Sequence, residues 1–109
     1  MKDKPITVVA RIRAKQGKEA QVREALLGLV GPTHAEAGCL QYDLHQSKLD
    51  PALFLFYENW SSQKALDQHF KTPHLLALGA KADVLFAEPV SITAWEMISS
   101  PKAAAGLSS

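Results

Sequence analysis

Leu53 to Trp60 is an almost continuous apolar run that ends in an aromatic and meets Ser61-Ser62 with no linker. A short apolar run bounded by turn residues is a strand, and a serine just beyond it can accept from the free amides of a first helical turn. The segment therefore predicts a strand feeding straight into a helix. Over that helix Ala65, Leu66, His69 and Phe70 share a face. Thr72-Pro73-His74 then opens another helix, with threonine as cap and proline at the first helical position, where its missing N–H does no harm. One strand–helix unit thus gathers a carboxylate (Glu58), an indole (Trp60) and two imidazoles (His69, His74).

The rest of the chain fits around this unit. Ile6 to Arg13 is rich in β-branched residues and reads as a strand. Val22, Ala25, Leu26, Leu29 and Val30 recur at helical spacing, so Lys18 to about Thr33 reads as an amphipathic helix that Pro32 kinks or ends early. Cys39 to Lys48 alternates, with Leu40, Tyr42 and Leu44 on one side, and Asp50-Pro51 turns it back as a hairpin. Leu75 to Phe86 supplies one apolar helical side, which Glu88-Pro89 ends. Val90 to Ile98 is the last strand.

The order β-α-β-β-α-(α)-β is that of a ferredoxin-like α+β fold: a split βαβ with a four-stranded antiparallel sheet and helices on one face. Residues 1–98 form the domain, and the Ala/Ser/Gly-rich residues 99–109 read as a mobile tail. Both parities of the first and third strands are apolar. One face takes the helices, and the economical partner for the other is a second copy of the sheet, which makes a homodimer.

With 109 residues the chain makes one domain, and 47% hydrophobic content excludes a disordered one. A net charge of +1 with no basic stripe argues against nucleic acid. No segment is long and apolar enough for a membrane span or a signal peptide. The lone cysteine, Cys39, allows no intrachain disulfide and reads as a packing residue. These features point to the cytoplasm. No glycine-rich phosphate cradle or dinucleotide fingerprint appears, so no cofactor is expected. His69 and His74 straddle a helix break, and spacing ties no acidic residue to them, so no metal is expected either.

Several short patterns occur in order: Gly17-Lys18, Glu36-x-Gly38-Cys39-x-x-Tyr42, Glu58-x-Trp60, Ala65-Leu66-x-x-His69 and Thr72-Pro73-His74. Together they resemble the antibiotic biosynthesis monooxygenase (ABM) domain family, on the side of its small quinol monooxygenase-like members. The resemblance runs from about Ile6 to Ile98. It implies a dimeric α+β barrel with a cavity between sheet and helices in each protomer. It also implies a cofactor-independent monooxygenase that oxidises a quinol, an anthrone or a similar polyphenolic aromatic with O₂. Haem-degrading relatives carry ligand and pocket residues where this chain has Gly79, Ala10 and His69, which argues against that branch. The alternatives are a small-molecule isomerase of the same fold and a non-catalytic dimeric binding or stress protein.

In the cofactor-free reaction the substrate supplies the electrons, and the protein supplies a base, hydrogen-bond donors and a dry pocket. His69 is the base candidate, against the plain reading of a core histidine bonded to a backbone carbonyl. Trp60 is placed to line the pocket and donate its indole N–H to substrate. Glu58 needs a partner if buried, either a histidine it orients or an ion pair with Arg11, Arg13 or Lys64. His74, Tyr42, Phe56 and Phe70 are the candidate substrate-binding residues, and which of His69 and His74 is the base stays open. Asn59, on the opposite parity, faces away. His34 and His45 read as surface residues.

Overall fold

The computed structural model describes residues 4–102. Strand β1 (Ile6–Arg13) leads through a turn at Gly17 into helix α1 (Glu19–His34). Gly17 has φ +85°, a conformation that favours glycine. Strands β2 (Cys39–Gln46) and β3 (Leu53–Trp60) follow as a hairpin, then helices α2 (Gln63–His69), α3 (Pro73–Ala80) and α4 (Ala82–Leu85), and strand β4 (Ser91–Trp95). The strands form one antiparallel sheet in the order β2-β3-β1-β4. This is the ferredoxin-like arrangement. Residues 103–109 of the expected tail lie outside the described residues.

Burial follows the period-two pattern. Val8, Ala10 and Ile12 of β1, and Phe54, Phe56, Glu58 and Trp60 of β3, point at the helices and are buried. On α1 the buried residues are Val22, Leu26, Leu29 and Thr33, one stripe along the helix. Each large apolar side chain taken from water contributes roughly 1.5–3 kcal/mol, so this single layer between sheet and helices is the main source of stability. The other face of β3, Leu53, Leu55, Tyr57 and Asn59, is half-buried within one chain.

Four sequence expectations change. Leu40 is exposed, because the register slips between Cys39 and Gln41 and the extra residue takes Leu40 off the inner face. Pro32 does not end α1 early: the helix runs on through it to His34 and closes with the Ala35 N–H on the Gly31 carbonyl (3.2 Å), although the proline has no N–H to give its own turn. The expected single helix after Pro73 is two, broken at Lys81, after which Phe86 leaves the helix to bridge Ala14. Thr72 is extended at the start of α3, but its hydroxyl donates back to the His69 carbonyl (2.7 Å) instead of capping α3.

Candidate active site

Ser62 accepts from the Ala65 amide (3.1 Å) and fixes where α2 begins. Leu66 and His69 then fall three residues apart on its buried side, and His69 is only 1% exposed. Its ring packs against Trp60, with centroids 4.5 Å apart, and against Tyr42 at 5.5 Å. No backbone carbonyl takes its Nδ1. That atom lies 2.9 Å from Oε2 of Glu36, in the turn between α1 and β2. The same carboxylate oxygen is 2.7 Å from Nε2 of His74, in the first turn of α3.

The turn that carries Glu36 is held by its own backbone, Glu36 N–H to the Thr33 carbonyl (3.0 Å) and Cys39 N–H to the Glu36 carbonyl (3.1 Å). Next to it Gly38 lies so close to α2 that a Cβ there would come 2.1 Å from the Ala65 Cβ. Glycine lets the turn and the helix meet, and this brings Glu36 over the junction of α2 and α3.

A carboxylate only accepts, so the His69 Nδ1–H donates to Glu36 and the lone pair of neutral His69 sits on Nε2. Burial pushes the His69 pKa below its ordinary value, the Glu36 carboxylate pulls against this, and His74 adds a small push down. His69 is thus a neutral imidazole at physiological pH, oriented by an acid.

Glu58 is buried and its Oε1 accepts from the Trp60 indole N–H at 2.8 Å. Burial raises its pKa to about 7, the Trp60 bond offsets part of this, and the charge of Glu36 adds to it. The expected ion-pair partners are elsewhere: Arg13 pairs with Asp50 at 2.7 Å. Burial, with the nearby Glu58 charge, raises the Tyr42 phenol as well, which keeps it protonated.

A cavity of about 150 Å³ lies between the sheet and α2–α4. Tyr42, Phe56, Glu58, His69, Phe70 and half-exposed Ile92 line it. Trp60 and His74 are not in its lining. Trp60 backs His69 and gives its N–H to Glu58, so that donor does not face a substrate. His74 stands behind His69, on the far side of Glu36. Asn59 is on the outer face, bonded to Thr7 and Gln41. His45 is exposed, and exposed His34 contacts the Tyr42 carbonyl at 3.0 Å. A wider open groove of about 670 Å³ between α1 and α3–α4 carries no histidine.

Two titratable groups therefore share one apolar cavity, a carboxyl with its pKa raised and an imidazole with its pKa lowered. Such a pair can hold a proton and take one at the same pH. Glu36, His69 and His74 also bring three ligand-type atoms within 4.8 Å of one another. Spacing ties no acidic residue to the histidines, but the fold supplies one: Glu36 arrives from 33 residues away.

The sequence profile of the family described as antibiotic biosynthesis monooxygenase matches residues 5–81. The chain belongs to this family. The match runs from the start of β1 to just past α3, so the ABM region holds Glu36, Glu58, Trp60, His69 and His74 and leaves β4 outside. The ABM chain is 37% identical over 89 residues to putative monooxygenase Rv0793 of Mycobacterium tuberculosis, covering 82% of this chain and 87% of that one. It is 30% identical over 95 residues to uncharacterized protein sll1783 of Synechocystis, covering 87% of this chain and only 65% of that longer protein. The crystal structure of PA3566 from Pseudomonas aeruginosa superposes with a TM-score of 0.86 at 36% identity, over 91% of this chain and 99% of that one.

Glu36 is the site residue that reasoning from spacing overlooked. Its one signal in the sequence is an acid two residues before Gly38, inside the ABM-like pattern.

Proposed function

We propose that this protein is a cofactor-independent monooxygenase that oxidises a small hydroxylated aromatic of the quinol class with O₂. The observation that carries the reading is the buried His69, whose Nδ1–H is held by Glu36 while its Nε2 lone pair is free to serve the cavity. The ABM family and the monooxygenase names of its relatives support the reaction class.

In this reading His69 takes a proton from the substrate hydroxyl. The resulting electron-rich anion gives up electrons to O₂, one oxygen atom joins the ring carbon, and the other leaves as water. Protonated Glu58 is placed to donate to the departing oxygen, and the apolar walls keep bulk water out. Tyr42, Phe56 and Phe70 offer aromatic surface to the ring. A cavity of about 150 Å³ is known to hold one benzene-sized ring. A single-ring quinol fits within it, and a larger anthrone would extend past Ile92.

The working unit in this reading is a homodimer. The outer sheet face carries Val9, Leu55, Tyr57 and exposed Trp95 with no covering layer among the described residues. No helix among the described residues is long and apolar enough to cross a membrane. Half-buried Cys39, the one cysteine, suits the cytoplasm.

Oxygen uptake by chelator-treated protein, with benzoquinol- and naphthoquinol-type substrates, tests the reading. The expected result is a rate above air oxidation that falls about a hundredfold or more in His69→Ala. Equal rates for parent and variant would remove His69 as the base.

A further inference from the structure

We propose that Glu36, His69 and His74 form a binding site for a divalent transition-metal ion of the zinc class, and that metal there withdraws His69 from the cavity. The second half rests on the function proposed above; the first does not.

Two imidazoles and a carboxylate are a donor set that binds zinc with a position left for water. The atoms lie close enough to converge on one ion. Ligands bonded to one tetrahedral zinc at about 2.0–2.1 Å stand roughly 3.3 Å apart. Here Glu36 Oε2 lies 2.9 Å from His69 Nδ1 and 2.7 Å from His74 Nε2, and all three atoms fall within 4.8 Å. Seating an ion requires the carboxylate oxygen to draw back and the two imidazoles to close, side-chain movements on the order of an ångström.

The three ligands come from separate segments, each fixed by its own bonds: the Glu36 turn by its backbone pair, and the α2–α3 junction by the Thr72 hydroxyl on the His69 carbonyl. Among the described residues no lysine or arginine pairs with Glu36, so no cation competes for the carboxylate. The His74 side chain is 20% exposed and that of His69 only 2%, so an ion can arrive from the His74 side without crossing the cavity.

Occupancy has a chemical consequence. Imidazole binds metal through a lone pair. With His69 Nδ1 on the ion, its proton moves to Nε2, the nitrogen that serves the cavity. The acceptor becomes a donor and no base remains there. Metal binding and proton abstraction thus exclude one another at a single ring.

Calorimetric titration of the chelator-treated, desalted full chain with zinc chloride, without substrate, tests the site. One ion per chain is expected. His74→Ala and Glu36→Gln should each weaken binding at least about ten-fold, while the His34→Ala/His45→Ala double variant binds as the parent does. Both single variants change half-buried residues and should keep the parent's far-UV circular dichroism. No binding by the parent, or equal binding by folded His74→Ala, overturns the site. In the uptake assay zinc should slow the parent at concentrations that do not slow His74→Ala further. Zinc that binds at the site without slowing the parent overturns the withdrawal of His69 and leaves the site standing. A metal-free parent with no uptake above background overturns the oxygenase reading, and calorimetry still decides the site.

Discussion

His69 Nδ1 and Glu36 Oε2 are 2.9 Å apart although 33 residues separate them in the chain. The bond fixes the tautomer and the ring plane of a buried imidazole. Glu36→Gln keeps the size and removes the charge. Under the proposed function it should lower kcat for quinol oxidation on the order of ten- to a hundredfold, less than His69→Ala does, with KM nearly unchanged. Stopped initial rates over a range of quinol concentration separate the two constants. An unchanged kcat would show that Glu36 does not position His69 for the reaction.

Glu58 should make stability depend on pH in an unusual direction. Its ordinary pKa is 4.5, and in the folded protein burial raises it to about 7. Between those values the folded state holds a proton that the unfolded chain has released. Stability from this group is full below the unfolded value and is lost as pH rises through the folded one. The whole span is on the order of 3 kcal/mol. Glu58→Gln does not titrate and can still accept from Trp60. Urea unfolding of both proteins should show the variant gaining on the parent by about 1–3 kcal/mol from about pH 5 to about pH 8. A constant difference would show that the carboxyl titrates normally.

Gly38→Ala should be costly although φ at this position is not positive. The new methyl would meet the Ala65 Cβ at 2.1 Å, so the turn or α2 must move. The expected loss is about 1–3 kcal/mol in chemical denaturation. Pairing it with Ala65→Gly should recover part of that, limited by the roughly 1 kcal/mol cost of glycine inside a helix. Additive single effects would show that the two positions do not touch.

Much of this architecture was legible because its local signals agree. The period-two burial of β1 and β3, a serine cap on α2 (Ser61 or Ser62, of which the fold uses Ser62) and Pro73 at the head of α3 all follow from residue type and spacing. The parity that parts Glu58 from Asn59 does so too. What escaped depends on contacts between distant segments. Leu40 turned outward because of one extra residue in a register set by β3. Thr72 spent its hydroxyl on the preceding helix. Trp60 reads as a substrate donor by residue type alone, but Glu58, two residues back on the same face, takes its N–H. Glu36 was visible only as part of a pattern, since its partners are brought to it by the fold.

The outer sheet face should pair two chains. Leu55 and Tyr57 stand on that face beside Arg11 and Val9 of β1, half-buried with no second layer among the described residues. Light scattering after sizing, at micromolar protein, should give twice the chain's 11.9 kDa. Leu55→Lys places a charge in the middle of the face and should give the single-chain mass with unchanged circular dichroism. A monomeric parent would show that the face meets solvent.

The strand order β2-β3-β1-β4 separates the two jobs a binding cavity must do. Two of its titratable groups, Glu58 and His69, belong to β3 and to the end of α2, at one side of the sheet. Val90 and Ile92 beside β1, and Ala82 of α4, line it at the other, and none of these three bonds to Glu36, Glu58 or His69. A lineage can therefore widen, narrow or reshape that wall one substitution at a time without disturbing the pair across from it. Descendants of one such chain can diverge in what they admit while keeping what they do to it.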